Sequence, residues 1–114
     1  MGMYANFYTI IGYDFSAYKD VLIDEKWAYD PKNEKYTCSQ GTGFIQLFDD
    51  GHTFFGYVLA DGDEFGMITS SMDIKELKDI KQRIDLELYK SGLNFNNLPD
   101  DAFEFKIISF VEYR

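Results

Sequence analysis

The chain is short of the residues from which most catalytic and metal sites are built. Its 114 residues hold one cysteine, one histidine, one tryptophan, two prolines and two arginines. A lone cysteine, Cys38, has no partner for an internal disulfide, which fits a reducing cytoplasm. One histidine and one cysteine do not close a zinc site. The opening stretch MGMYANFYTIIGYDF lacks the basic start and continuous apolar core of a signal peptide. No apolar run has the length of a membrane span. Bases are scarce, 11 against 20 acids, for a formal net charge of −9. Nucleic-acid backbones and anionic membranes are recognised by clustered Lys and Arg, so the composition argues against direct contact with either. The same balance favours solubility and basic partners.

Aromatic side chains are plentiful: 11 Phe and 9 Tyr bring the aromatic share to 18%. They favour strands, bury large areas and, where half exposed, suit contact surfaces. The length is that of a single domain, 1–114, able to build its own core.

Periodicity gives a coarse map. YANFYTIIGY, 4–13, reads as a strand ended by Gly12 and Asp14. Residues 14–27 read as either a short helix or an irregular connector. KWAYDPKNEKYTC, 26–38, reads as a hairpin around an Asp-Pro-Lys-Asn turn. GFIQLFDD, 43–50, is a strand with Phe44 and Gln46 on one face and Ile45 and Leu47 on the other. Asp49-Asp50-Gly51-His52 turns it into a return strand, 53–60. Asp61-Gly62-Asp63-Glu64 reads as a second tight turn, and 65–71 as a short third strand of a meander. The best helix is about 72–91, where Ile74, Leu77, Ile80 or Lys81, Ile84 and Leu88 recur at helical spacing. Ser70 or Ser71 is the expected N-cap and Gly92 the stop. The last strand, 102–113, places Phe103, Phe105, Ile107, Ser109 and Val111 on one face and is expected inside the sheet, beside the first strand. The expected fold is α+β: an antiparallel sheet of about five strands with one main helix packed on one face.

The charge is unevenly placed. Residues 36–70 carry five acids, Asp49, Asp50, Asp61, Asp63 and Glu64, and no base, which is more than half of the imbalance. Each chemical reading of these residues meets an obstacle. DGDEFG, 61–66, begins like a calcium loop, but Phe65 offers no oxygen and Met72 stands where a bidentate glutamate is needed. His52 with Asp49 and Asp50 would supply a mixed nitrogen and oxygen shell, yet the two acidic turns lie at opposite ends of a strand, roughly 25 Å apart. Cys38 and His52 would be a nucleophile and base, but the surroundings of Cys38, YTCSQG, match no reactive-cysteine pattern. Gly41-Thr42-Gly43 opens a strand rather than a helix and builds no phosphate cradle. No catalytic residue, metal or cofactor is therefore assigned. Trp27, Tyr29 and Tyr36 alternate with charges, which suits either a partner-binding surface or a contribution to the core.

The texture of YTIIGYDFSAYK, EKYTC, GFIQLFDDG and GYVLADGDEFG resembles small acidic proteins of phages and mobile elements of low-GC Gram-positive bacteria. The resemblance implies a phage-type origin and a bacterial cytoplasm, and transfers no catalytic residue to this chain. The expectation is a non-enzymatic module that occupies a basic or aromatic-accepting surface of a partner protein, such as a defence or nucleic-acid enzyme that it inhibits. Its contact residues would be Asp49, Asp50, Asp61, Asp63, Glu64, Trp27, Tyr29 and Tyr57. A homo-oligomeric assembly subunit, and a metal- or small-ligand-binding protein using an acidic turn, are the alternatives.

Overall fold

Runs rich in aromatic and β-branched side chains carry Ala5–Asp14 into β1, Ile45–Asp49 into β2, Thr53–Gly62 into β3 and Lys106–Tyr113 into β4. The structure, a computed structural model, describes residues 5–38, 41–49, 51–62 and 73–113. Between β1 and β2 the chain makes three short helices, α1 (Lys19–Leu22), α2 (Glu25–Ala28) and α3 (Glu34–Thr37); the long helix α4 (Ile74–Lys90) precedes β4. The four described strands form one sheet in the order β2-β3-β1-β4, with every neighbouring pair antiparallel. The domain is thus α+β with one main helix, and has four described strands where about five are expected.

Part of the difference lies in 26–38, which is helical. Asp24 accepts from the Trp27 N–H at 2.7 Å and Asp30 from the Lys32 N–H at 3.0 Å, with Pro31 in the first turn that follows. An Asp-Pro pair serves a helix start as well as a β-turn, because the fixed φ of proline and its missing N–H suit both. The second acidic turn is also corrected: Asp61 and Gly62 are strand residues paired with Tyr8 and Phe7. A bulge beside Thr9 and Ile10 lets β3 run on to the end of its long partner. The rest of that turn, 63–64, and the strand expected over 65–71 lie outside the described residues.

The helix is as expected in place and length, but its N-cap is Asp73, which accepts from the Glu76 N–H at 2.8 Å. Gly92, at φ +77°, follows its C-terminus. Ile80, Ile84 and Leu88 pack with Ile11, Tyr13, Leu47 and Phe55 on one sheet face, and Leu22, Trp27 and Tyr36 from the connector join the same core. The opposite face carries its own cluster of Tyr8, Ile10, Phe48, Phe54 and Val58, with Phe110 ringed by Tyr8, Phe48 and Phe54 at 4.8–5.4 Å. β4 lies beside β1 as expected, and among the described strands it is an outer one rather than an inner one.

Candidate functional site

The hairpin β2–β3 separates the two described acids. Asp49 ends β2, and its Oδ1 lies 3.0 Å from Lys19 Nζ and accepts from the Thr53 hydroxyl at 3.2 Å. Asp61, near the far end of β3, accepts from the Thr42 hydroxyl at 2.9 Å. The strand between them holds them roughly 25 Å apart at ~3.3 Å per residue, so they mark two rims and not one centre. Asp50, Asp63 and Glu64 lie outside the described residues. His52 is exposed and lies flat on Phe54, ring centroids 5.4 Å apart. Cys38 is exposed at the end of α3, where its carbonyl accepts from the Gln46 side-chain amide. Among the described residues no group of three or more His, Cys, Asp or Glu is placed to hold a metal ion. No helix among them is long and apolar enough to cross a membrane.

The three aromatic candidates have different surroundings. Trp27 is only 9% exposed, stacks with Tyr36 and donates its indole N–H to the Ser91 carbonyl at 2.7 Å. That bond satisfies one of the carbonyls that a helix C-terminus leaves open, so Trp27 stands in the core. Tyr29, two residues on, is 85% exposed. Tyr57 is half-buried, with the Arg83 guanidinium 5.5 Å above its ring.

Two surface features are not visible in the sequence order. One groove of about 460 Å³ between the start of β2 and α4 is lined by Phe44, Ile45 and Leu86 together with Lys35 and Arg83. A second, of about 500 Å³, is lined by Lys26, Lys32, Lys35 and Lys90 together with Asp24 and Asp30, beside Trp27 and Tyr36. These lysines meet because the Trp27–Ser91 bond, spanning 64 positions, closes the connector onto the end of α4. The acidic chain therefore has a groove in which lysines outnumber acids, and no run or spacing in the sequence announces it.

Two phenols tie the helix to the rest. Tyr13 donates to Asp85, and Tyr36 donates to Glu87 at 2.9 Å. Burial, reinforced by the carboxylate partner, pushes each hydroxyl up to about 12. The bond to Asp85 also raises Lys81. A folded-state pKa above the unfolded value stabilises the fold below the unfolded pKa and is lost as pH rises through the folded one. The melting temperature should hold from neutral pH to about 9 and fall between about 10 and 12, and the double variant Tyr13→Phe/Tyr36→Phe should make that fall shallower. Thermal melts across that range check this; an equal fall in the double variant would contradict it.

No protein-family model, curated protein or solved structure matches the chain.

Proposed function

We propose that the chain is a non-enzymatic protein-binding module of phage type that works in a bacterial cytoplasm. Its acidic hairpin region docks on a basic surface of a partner protein, and inhibition of a defence or nucleic-acid enzyme is the activity such docking would serve. The observation that carries this reading is the charge asymmetry: five acids and no base between residues 36 and 70, while Lys26, Lys32, Lys35 and Lys90 gather at a groove between the connector and the end of α4. A field of that shape orients an incoming basic partner and speeds its encounter. Asp49 and Asp61 stand on opposite rims of the hairpin, and the full set is Asp49, Asp50, Asp61, Asp63 and Glu64. With Trp27 in the core, exposed Tyr29 and half-buried Tyr57 are the aromatic contacts that this reading retains.

The test is affinity capture from a Gram-positive lysate with and without nuclease, using the native chain and a variant with all five acids replaced by alanine. One stoichiometric protein that survives nuclease and is lost in the variant is the expected result. Equal capture by both forms would remove the electrostatic basis. A self-associating subunit is the second reading, and it is favoured by β4, an outer strand among those described, whose Ile107 is 62% exposed.

A further inference from the structure

Acids outnumber bases 20 to 11, so the chain has a carboxylate to spare for every base. Lys19 and Lys81 each take one, Asp49 and Asp85. Lys26, Lys32 and Lys90 make no ion pair among the described residues, yet all three are exposed and line the same groove beside the end of α4. Lys35, whose ammonium lies 5.0 Å above the Tyr36 ring, adds a fourth cation to the lining. The two acids of the groove do not pair with these lysines. Asp24 and Asp30 each turn a carboxylate oxygen to a backbone N–H, that of Trp27 and that of Lys32. Four lysines against two aspartates leave the lining with two positive charges in excess. Like charges gathered around one groove repel, and an anion that enters relieves the repulsion as well as making its own contacts.

Helix α4 ends at this groove, and bare C-terminal carbonyls would repel an anion. Two of them are covered: the Trp27 indole N–H takes the Ser91 carbonyl, and the Ser91 hydroxyl takes that of Leu88. No arginine lines this groove. An arginine fork orients a planar, two-oxygen partner, whereas lysine is a compact charge on a flexible four-carbon stem, and several lysines can surround a phosphate group from different sides. The volume of about 500 Å³ exceeds what one phosphate fills and falls in the ordinary range of small-molecule sites, ~300–1,000 Å³. The neighbouring groove of about 460 Å³ shares Lys35 and Tyr36 with it and adds Phe44 and Leu86, which are 49% and 52% exposed. We propose that the chain binds an organic diphosphate, with the diphosphate group among Lys26, Lys32 and Lys90 and the organic part over Phe44 and Leu86. This site uses none of the five acids of 36–70 and stands or falls independently of the docking reading.

Equilibrium dialysis of the full chain against radiolabelled ADP, pyrophosphate or inorganic phosphate, without divalent cations, tests the proposal. One saturable site per chain is expected, with ADP held tighter than pyrophosphate and inorganic phosphate about tenfold weaker than either. Pyrophosphate held tighter than ADP would overturn the organic half of the proposal and assign the free anion to the lysine groove. Lys26→Gln/Lys32→Gln/Lys90→Gln should raise the dissociation constant about tenfold or more, because charge-assisted contacts are lost at exposed positions that leave the fold intact. Lys75→Gln/Lys78→Gln/Lys106→Gln removes the same charge at other exposed positions and should change it by less than about twofold at physiological salt. Far-UV circular dichroism should be the same for the native chain and both variants. No saturable binding of any probe at millimolar concentration overturns the site. So does a first variant that binds as the native chain does, or a control variant that weakens binding as much as the first.

Discussion

Gly12→Ala should cost the fold about 3 kcal/mol or more, a large part of the ~5–15 kcal/mol that holds a domain of this size together. A Cβ on Gly12 would stand 2.2 Å from the Phe55 carbonyl oxygen and 2.6 Å from the Gly56 Cα. Both obstacles are backbone, so no side-chain rotation relieves them. Gly12 faces Gly56 across the two inner strands, at a pair whose backbones approach more closely than hydrogen-bonded neighbours do. Relief requires parting β1 from β3, the pairing on which the whole sheet depends. Gly56→Ala meets the Ile11 carbonyl at 2.5 Å and should behave alike. Gly62→Ala, in the same strand with nothing within 4 Å of its added carbon, is the control and should change stability by no more than about 0.5 kcal/mol. Urea unfolding followed by far-UV circular dichroism distinguishes these outcomes. A Gly12→Ala protein as stable as the control would mean that the two strands do not approach as described.

Trp27→Ala should cost about 3–5 kcal/mol, and Trp27→Phe less. Alanine removes the ring that stacks on Tyr36 and leaves the Ser91 carbonyl without its indole donor. The same end of α4 is also bound by the Ser91 hydroxyl, which donates to the Leu88 carbonyl at 2.6 Å, and the Asn94 N–H reaches back to the Leu22 carbonyl. The connector and the helix terminus therefore lose their junction together, and the lysine-lined groove loses one wall. Far-UV circular dichroism in urea again gives the number. A loss below about 1 kcal/mol would return Trp27 to the set of surface residues available to a partner.

The elements that were legible from sequence are those with one dominant period. Helix α4 has an apolar stripe over about four turns, and the strands flanking Gly51 are apolar runs joined by an Asp-Gly turn; all of these stand where expected. The connector 14–38 was less legible because its capping aspartates double as turn formers, and only Trp27 and Tyr36 packing on the helix side decides between the two. Asp61 and Gly62 look like a turn by residue type, but the length of β1 offers them partners and the ladder extends. The candidate site is legible as composition and not as geometry. The acids of 36–70 are counted correctly from sequence, whereas the Thr42 partner of Asp61, the Lys19 partner of Asp49 and the convergence of Lys26, Lys32 and Lys90 depend on contacts between distant segments.

The two phenol–carboxylate bonds have a mechanical meaning. At about 100° per residue, Asp85 and Glu87 leave α4 on opposite flanks of the stripe centred on Ile84. Tyr13 holds one flank from the sheet, and Tyr36 holds the other from the connector. An oily stripe by itself tolerates a small roll of a helix about its long axis; a pair of opposed tethers resists roll in either sense. The azimuth of α4 is thereby locked. A partner that grips its outward face, where Leu86 and Tyr89 protrude, would meet a rigid rail whose side chains keep their bearing.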